Sequence, residues 1–167
     1  LHKIHICATK IVTYLQIAMT KPTQINFPAI DMTTKIVNGQ EFVWDALRGK
    51  FLLLTPEERV RRHVIGFLTT HCGVLPHSIA QEYPVNINGT AQRADIVVVG
   101  KSLQPEILVE CKAPEVEINS DVWAQAVRYN AILGARYIIL TNGHKHLVAE
   151  FTNGNYTKLK AFPRMEY

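Results

Sequence analysis

The spacing of apolar residues changes along the chain, and the change predicts both strands and helices. Residues 41–44 and 51–54 are largely apolar and flank a short polar turn at 48–50, which predicts a β-hairpin. Residues 55–58, Thr-Pro-Glu-Glu, are typical of a helix start, because threonine caps a first turn and proline fits its first position. Apolar residues then recur at helical spacing to about His71, so one face of this helix is expected to be buried.

The second half of the chain is rich in apolar and β-branched runs of strand length. The pattern predicts strands at 79–87, 95–99, 106–112, 136–141, 145–151 and 156–161. Between the third and fourth of these, Asn119 is a helix-capping residue and Gly134 a typical terminator, so a helix is predicted to run to Leu133. This order of elements predicts an α/β domain with a mixed central β-sheet flanked by helices.

Length and composition favour one globular domain. The chain has 167 residues, of which 47% are hydrophobic and 19% charged, values that suit a single domain with a sizeable core. No apolar run approaches the roughly 20 residues that a membrane span requires, so no membrane partner is expected. The three cysteines lack metal-ligand spacing and favour a reducing compartment, the cytoplasm. The formal charge of +4 permits a nucleic-acid partner without requiring one.

The first 18 residues are interpreted separately from the rest. The chain does not begin with methionine, and Met19 resembles a more natural start, so residues 1–18 are interpreted as an extension without function. Lys3 and Lys10 interrupt the apolar residues there, which excludes the unbroken apolar centre of a secretory signal. The single domain is therefore predicted to span residues 19–167.

Three polar residues occur in the two most apolar strands. Side chains alternate across a strand, so Glu110 and Lys112 share one face, while Cys111 points the other way and is expected to enter the core. Asp95 begins the preceding strand, and the short connection makes the two strands antiparallel neighbours. Their pairing should bring the Asp95 carboxylate close to Glu110 and Lys112. The alternative is a surface ion pair between Glu110 and Lys112, with Asp95 at a strand edge.

Two carboxylates and an ammonium group on an apolar sheet are costly to bury unless a cation compensates. Mg²⁺ prefers oxygen ligands and usually takes one or two carboxylates, with water and phosphate oxygens in its other positions. Asp95 and Glu110 are therefore candidate metal ligands, and the backbone carbonyl of Cys111 is a candidate third. Lys112 would orient or deprotonate a water molecule, or neutralise charge on the phosphate, which predicts metal-assisted phosphodiester cleavage.

The same residues resemble a known nuclease motif. The segments Arg93–Val99 and Ile107–Pro114 are similar to the PD-(D/E)xK motif, with Ala94 in place of the proline. More narrowly, the chain from about Phe51 to about Thr141 resembles the N-terminal nuclease domain of type I restriction enzyme R subunits. The resemblance implies a restriction-endonuclease-like core, Mg²⁺ as cofactor with Mn²⁺ as a substitute, and hydrolysis of DNA in restriction or DNA defence.

The resemblance also implies supporting residues on the two helices. Gln125 and Tyr129, one helical turn apart, match the Q-x-x-x-Y motif of this nuclease branch, where the pair supports the active site and DNA contact. On the first helix, Glu58 matches an E-x-V-R pattern and is favoured over Glu57 as a further catalytic acid. The choice stays open, because Glu58 also suits the third position of a capping box and Glu57 lies nearer the apolar stripe.

Basic residues near the proposed site, Arg61 and Arg93 among them, are candidates for contact with the DNA backbone. Asp95 stands where a phosphate-binding loop ending at Gly100 would need glycine, so no ATP site is predicted. The predicted function is a Mg²⁺-dependent DNA endonuclease, with other restriction-system subunits as candidate partners. The alternatives are a non-catalytic module that binds nucleic acid or docks onto a separate helicase subunit, and a nuclease for structured DNA or RNA.

Overall fold

The structure, a computed structural model, describes residues 25–166, so the interpretation of residues 1–18 lies outside the described residues. Helices α1 and α2 are Pro56–His71 and Ser120–Leu133. The strands, β1 to β9 in chain order, are Thr34–Val37, Gln40–Asp45, Lys50–Leu53, Ile79–Ile87, Thr90–Val99, Pro105–Cys111, Tyr137–Thr141, His146–Thr152 and Asn155–Leu159. No helix within the described range is long and apolar enough to cross a membrane.

The strands form two sheets. Strands β1, β2 and β3 make a small antiparallel sheet, and β4 to β9 make a six-stranded sheet in which each strand lies beside the next in sequence. Strands β6 and β7 are parallel, and the other neighbours in the large sheet are antiparallel. A parallel pair needs a crossover connection, which α2 provides between β6 and β7. The predicted α/β fold with a mixed sheet is therefore confirmed.

Both helices begin and end as the capping residues predict. The Thr55 side chain accepts a hydrogen bond from the backbone N–H of Glu58 at 3.0 Å, which satisfies one free donor of the first turn of α1. The Asn119 side chain does the same at the start of α2. Gly134 ends α2 with a φ of 66°, a left-handed conformation that glycine adopts without steric cost. These caps fix which residues of α1 face the sheet.

The large sheet is buried on both sides. Alternation along β6 places Ile107, Val109 and Cys111 in the core under α1, and Leu108 in the core under α2. The α1 stripe packs on the first of these cores, as its spacing predicts, and Tyr129 of α2 packs on the second. Polar side chains at the end of β6 are therefore enclosed between a helix and the sheet.

Strand β5 begins at Thr90, not at Asp95 as the sequence pattern indicated. Strands β4 and β5 form one long hairpin that closes at Ile87 and Thr90, across the Asn88-Gly89 turn. Polar residues at the start of β5 are exposed and give no apolar alternation, which is why the pattern missed them. Asp95 consequently lies inside a strand, between Ala94 and Ile96, whose backbones pair with β4.

We expect Asn130→Ala to lower the free energy of unfolding by about 2–3 kcal/mol. The buried Asn130 amide accepts from Ala135 N–H at 2.8 Å and donates to the Ala135 carbonyl at 2.9 Å, which joins α2 to β7. Alanine leaves both backbone groups buried without these partners. Urea unfolding measures the change, and the exposed Asn155→Ala is the matched control. Equal stability of the two variants would contradict this role.

Candidate active site

Asp95 and Glu110 lie beside each other on β5 and β6. Ile96 pairs with Val109 in the antiparallel register, so the preceding residue of β5 lies next to the following residue of β6. The Asp95 backbone N–H donates to Glu110 Oε1 at 3.4 Å. Asp95 Oδ2 accepts from the Cys111 backbone N–H at 2.7 Å. The structure thus brings together the two carboxylates that the sequence pattern placed on adjacent strands.

The backbone opposite Asp95 is irregular. The pairing of β4 with β5 passes from Gln81 and Ile96 to Tyr83 and Ala94, without a pair between Glu82 and Asp95. Glu82 has a φ of 49°, a left-handed conformation that costs free energy for a residue with a side chain. Backbone strain of this kind concentrates at functional sites, and here it lies directly beside a proposed metal ligand.

Arg61 joins helix α1 to this site. Its Nη2 lies 2.6 Å from Asp95 Oδ1 and its Nη1 lies 2.8 Å from Glu58 Oε2. A weaker contact of 3.6 Å reaches Glu57 Oε1. Because the residue is only 7% exposed, its guanidinium is committed to internal carboxylates. Arg61 therefore reaches Asp95 from within the fold, and its contact with the DNA backbone stays a prediction.

The geometry favours Glu57, not Glu58, as the acid of α1 that faces Asp95. Glu58 is buried between two arginines, with Oε1 at 2.7 Å from Arg62 Nε in addition to its Arg61 contact. Glu57 is half-exposed; burial raises its pKa, the charge of Asp95 raises it further, and the charges of Arg61 and Lys112 lower it. The preference for Glu58 followed the sequence pattern, but adjacent helical residues point about 100° apart and so meet different neighbours. Glu58 turns to the two buried arginines, and Glu57 lies nearer Asp95.

Lys112 contacts Gln125 of α2. Its Nζ lies 3.4 Å from Gln125 Oε1, and Gln125 Nε2 donates to the Tyr129 hydroxyl at 3.1 Å. Tyr129 is almost fully buried, so it fixes the amide and, through it, the lysine. The Gln-Tyr pair, which the resemblance assigned to support, therefore reaches the lysine of the proposed site through Gln125.

Arg93 stands at the edge of the site. Its side chain is 71% exposed and lies 3.6 Å from Glu82. An exposed cation one strand position away from the irregular backbone is accessible to a phosphate group. Arg93 consequently remains a candidate for DNA contact, as the sequence indicated.

Asp45 lies beside Arg62 of α1 and carries no sequence signal. It ends β2 in the small sheet, is fully buried, and contacts Arg62 Nη1 at 2.9 Å. Its carboxylate also accepts hydrogen bonds from Gln81 and from the backbone of Leu47 and Arg48. An aspartate before a turn is usually an exposed turn residue, so only the folded chain reveals its partners.

Burial and like charge together raise the pKa of Glu110 to about 8. Burial is the larger cause, and the neighbouring Asp95 charge adds to it. Burial likewise raises the pKa of Glu57, again with a contribution from Asp95. The fully buried Cys111 thiol has a pKa well above its ordinary value, so it stays protonated and inert. Lys112 lowers the pKa of Glu110, but by less than burial and the Asp95 charge raise it.

This pair of carboxylates fits a divalent cation. A metal at Asp95 and Glu110 would favour the ionised form of Glu110 and so offset both its burial and the charge of Asp95. Within residues 25–166, no group of three or more histidine, cysteine, aspartate or glutamate side chains is gathered as a metal cage. A hard cation such as Mg²⁺ does not need one, because it takes one or two carboxylates and keeps water. The donor set suits Mg²⁺ or Mn²⁺ better than a structural zinc ion.

We expect Glu110→Gln to flatten the pH dependence of stability in the metal-free protein. The pKa of Glu110 is raised from 4.5 to about 8, so between these values the unfolded chain loses a proton that the folded chain keeps. The free energy of unfolding therefore falls as pH rises through this window, by about 1 kcal/mol or more from this group. Glutamine removes that contribution and stabilises the protein at about pH 8.

Urea unfolding between about pH 5 and about pH 8 measures the slope. The exposed Glu117→Gln is the control and should keep the wild-type pH dependence. An unchanged slope in Glu110→Gln would show that Glu110 ionises normally in the folded chain.

Comparison with known proteins identifies the family of the chain. The family model described as type I restriction enzyme R protein N terminus matches residues 56–163. A solved fragment described as an HsdR subunit of a type I restriction enzyme from Vibrio vulnificus YJ016 is similar, with a TM-score of 0.52 and 25% identity. The match covers 66% of this chain and 24% of that one, so this chain corresponds to about a quarter of the solved one. No curated protein matches.

The matched range contains α1, β5, β6 and α2, the elements that carry the proposed site. It also covers well over half of the chain. The chain belongs to the family of type I restriction enzyme R protein N-terminal domains.

Proposed function

We propose that the chain is a Mg²⁺-dependent endonuclease domain that hydrolyses DNA phosphodiester bonds. Membership of the R protein family supports a role in restriction, and we propose DNA as the substrate and other subunits of a restriction system as partners. The observation that supports hydrolysis is the placement of Asp95 and Glu110 side by side on adjacent strands, with Lys112 beside them. The reduced cysteines of the described residues fit the cytoplasm, where restriction of incoming DNA would take place.

The proposed mechanism assigns separate tasks to the residues of the site. Asp95 and Glu110, with the Cys111 carbonyl as a further candidate, would hold the metal. Once bound, the metal supplies an activated water molecule and stabilises charge on the phosphate. Lys112, held by Gln125, would orient that water or offset the charge that develops on the phosphate oxygens.

Two further groups would act around this centre. The half-exposed carboxylate of Glu57 lies toward Asp95 and has a raised pKa, so it can accept or donate a proton near the reacting water. Arg93 would hold the DNA backbone at the edge of the site through its exposed guanidinium.

A second candidate function is a non-catalytic module that binds DNA or docks onto a helicase subunit. The contact of 2.6 Å between Arg61 and Asp95 favours it, because this ion pair neutralises a proposed metal ligand without any metal. The raised pKa of Glu110 argues in the other direction, since Arg61 leaves the second carboxylate uncompensated.

One assay distinguishes the two functions. The purified chain is incubated with circular, linear and branched DNA in Mg²⁺, in Mn²⁺ and in a chelator, and the products are resolved on gels. Metal-dependent nicking or linearisation is expected. Salt-sensitive DNA binding without cleavage on any substrate would instead establish the binding module and overturn the nuclease proposal. A parallel series with single-stranded RNA tests the choice of nucleic acid.

A further inference from the structure

A chain of buried ion pairs connects the small sheet to the proposed metal site. It runs from Asp45 on β2 through Arg62 and Glu58 on α1, then through Arg61 to Asp95 on β5. The four contacts between successive members measure 2.9, 2.7, 2.8 and 2.6 Å in that order. Negative and positive groups alternate along its whole length.

The members of this ion chain are shielded from water. Asp45 is fully buried, and Glu58, Arg61 and Arg62 are each no more than 7% exposed. Buried charges cost free energy unless each is paired, so the three inner members, Arg62, Glu58 and Arg61, each depend strongly on two neighbours. Glu58 is the shared member, with one carboxylate oxygen toward each arginine. A change in the pairing of Arg62 must therefore alter how firmly Glu58 holds Arg61.

We propose that Arg61 is a built-in counter-cation that competes with the divalent metal for Asp95, and that Asp45 and Arg62 set how strongly it competes. The inference rests on the proposed function, because it presumes a metal at Asp95. It makes Asp45, on the separate small sheet, a positioning residue of the site.

Competition follows from the contacts of Asp95. Its Oδ1 is engaged by Arg61 and its Oδ2 by the Cys111 backbone N–H. The Cys111 N–H belongs to a strand backbone and is fixed, whereas the arginine side chain can shift its charge toward Glu58 or Glu57. Arg61 is thus the partner that Asp95 can exchange when a metal binds.

Opposite effects on metal affinity are expected from the two ends of the ion chain. In Asp45→Asn, Arg62 loses one partner and draws Glu58 away from Arg61. Arg61 then pairs more firmly with Asp95, so the affinity for Mn²⁺ should fall about tenfold. Arg62→Gln leaves Glu58 to Arg61 alone and loosens its hold on Asp95, so Mn²⁺ affinity should rise about threefold. Titration calorimetry with Mn²⁺ on the DNA-free protein measures both values.

Loss of the Asp45 charge in Asp45→Asn would by itself weaken metal binding through the long-range field. The decisive variant therefore removes Arg61. In an Arg61→Met background, Asp45→Asn should no longer change Mn²⁺ affinity, because the competing group is absent. Glu82→Gln is the matched control, since it removes a negative charge near Arg61 without breaking the ion chain, and its effect should be the same in both backgrounds. Thermal unfolding confirms that each variant is folded, and Arg61→Gln replaces Arg61→Met if methionine prevents folding.

The results distinguish failure of the Arg61 counter-cation from failure of the metal site. If wild type binds Mn²⁺ and the effect of Asp45→Asn persists without Arg61, the counter-cation is overturned and the proposed nuclease stands. If neither wild type nor the Arg61 variant binds Mn²⁺, the metal site of the proposed function fails, and the inference fails with it. Binding that appears only when Arg61 is removed would support competition in its strongest form.

Discussion

Replacing Lys112 with methionine is expected to lower the rate of metal-dependent DNA cleavage by about a thousandfold. The ammonium group lies 3.4 Å from Gln125 Oε1, which is itself fixed by the buried Tyr129, so its position is set before substrate arrives. A preorganised charge of this kind acts on the transition state without reorganisation, which is why its loss affects the rate more than binding. Methionine keeps the aliphatic length, and the fold should be retained.

Single-turnover cleavage of plasmid DNA measures the rate, and fluorescence anisotropy measures DNA affinity for the same variant. The exposed Lys158→Met on β9 is the matched control and should cleave at the wild-type rate. Cleavage by the Lys112 variant at the control rate would remove the lysine from the chemistry. Loss of DNA binding with unchanged single-turnover rate would reassign it to phosphate contact.

Much of the fold was predictable because local patterns determine it. The alternation along β6 predicted that Ile107, Val109 and Cys111 share one face and that Leu108 and Glu110 share the other. The structure places the first set in one core and Leu108 in the other. Thr55 and Gly134 marked helix ends through backbone requirements that few other residues meet. The pairing of Asp95 with Glu110 followed from the short connection between their strands.

The surroundings of the site were not predictable, because they depend on contacts between distant segments. Asp45 and Arg62 come from different elements, and no local pattern states that they meet. Arginine is usually a surface residue, yet the fold buries Arg61 between Glu58 and Asp95. Charged residues are rarely buried unless paired, so the sequence favours exposure until the partners are known. The roles of all these residues in catalysis remain predictions.

Asp95→Asn is expected to reduce metal-dependent cleavage by roughly a thousandfold or more while DNA binding is retained. Asparagine keeps the shape of the side chain and can still accept the Cys111 N–H bond, but it removes the negative charge that a metal requires. The same change removes the ion pair with Arg61, whose charge then has only glutamates as partners. Mn²⁺ affinity should therefore fall together with the cleavage rate.

DNA affinity should not fall in this variant, because a negative group close to the proposed path of the phosphate backbone has been removed. Anisotropy in a chelator, without metal, is expected to show equal or slightly tighter binding, with an unchanged or steeper dependence on salt. The exposed Asp121→Asn at the start of α2 is the matched control for charge and should leave cleavage intact. If Asp95→Asn cleaves DNA as the control does, the carboxylate serves only its ion pair with Arg61, and this polar cluster is a structural support for a binding module. If cleavage and Mn²⁺ binding are lost while DNA binding is kept, the two strands carry a catalytic centre, since a module that only binds DNA gains nothing from that charge.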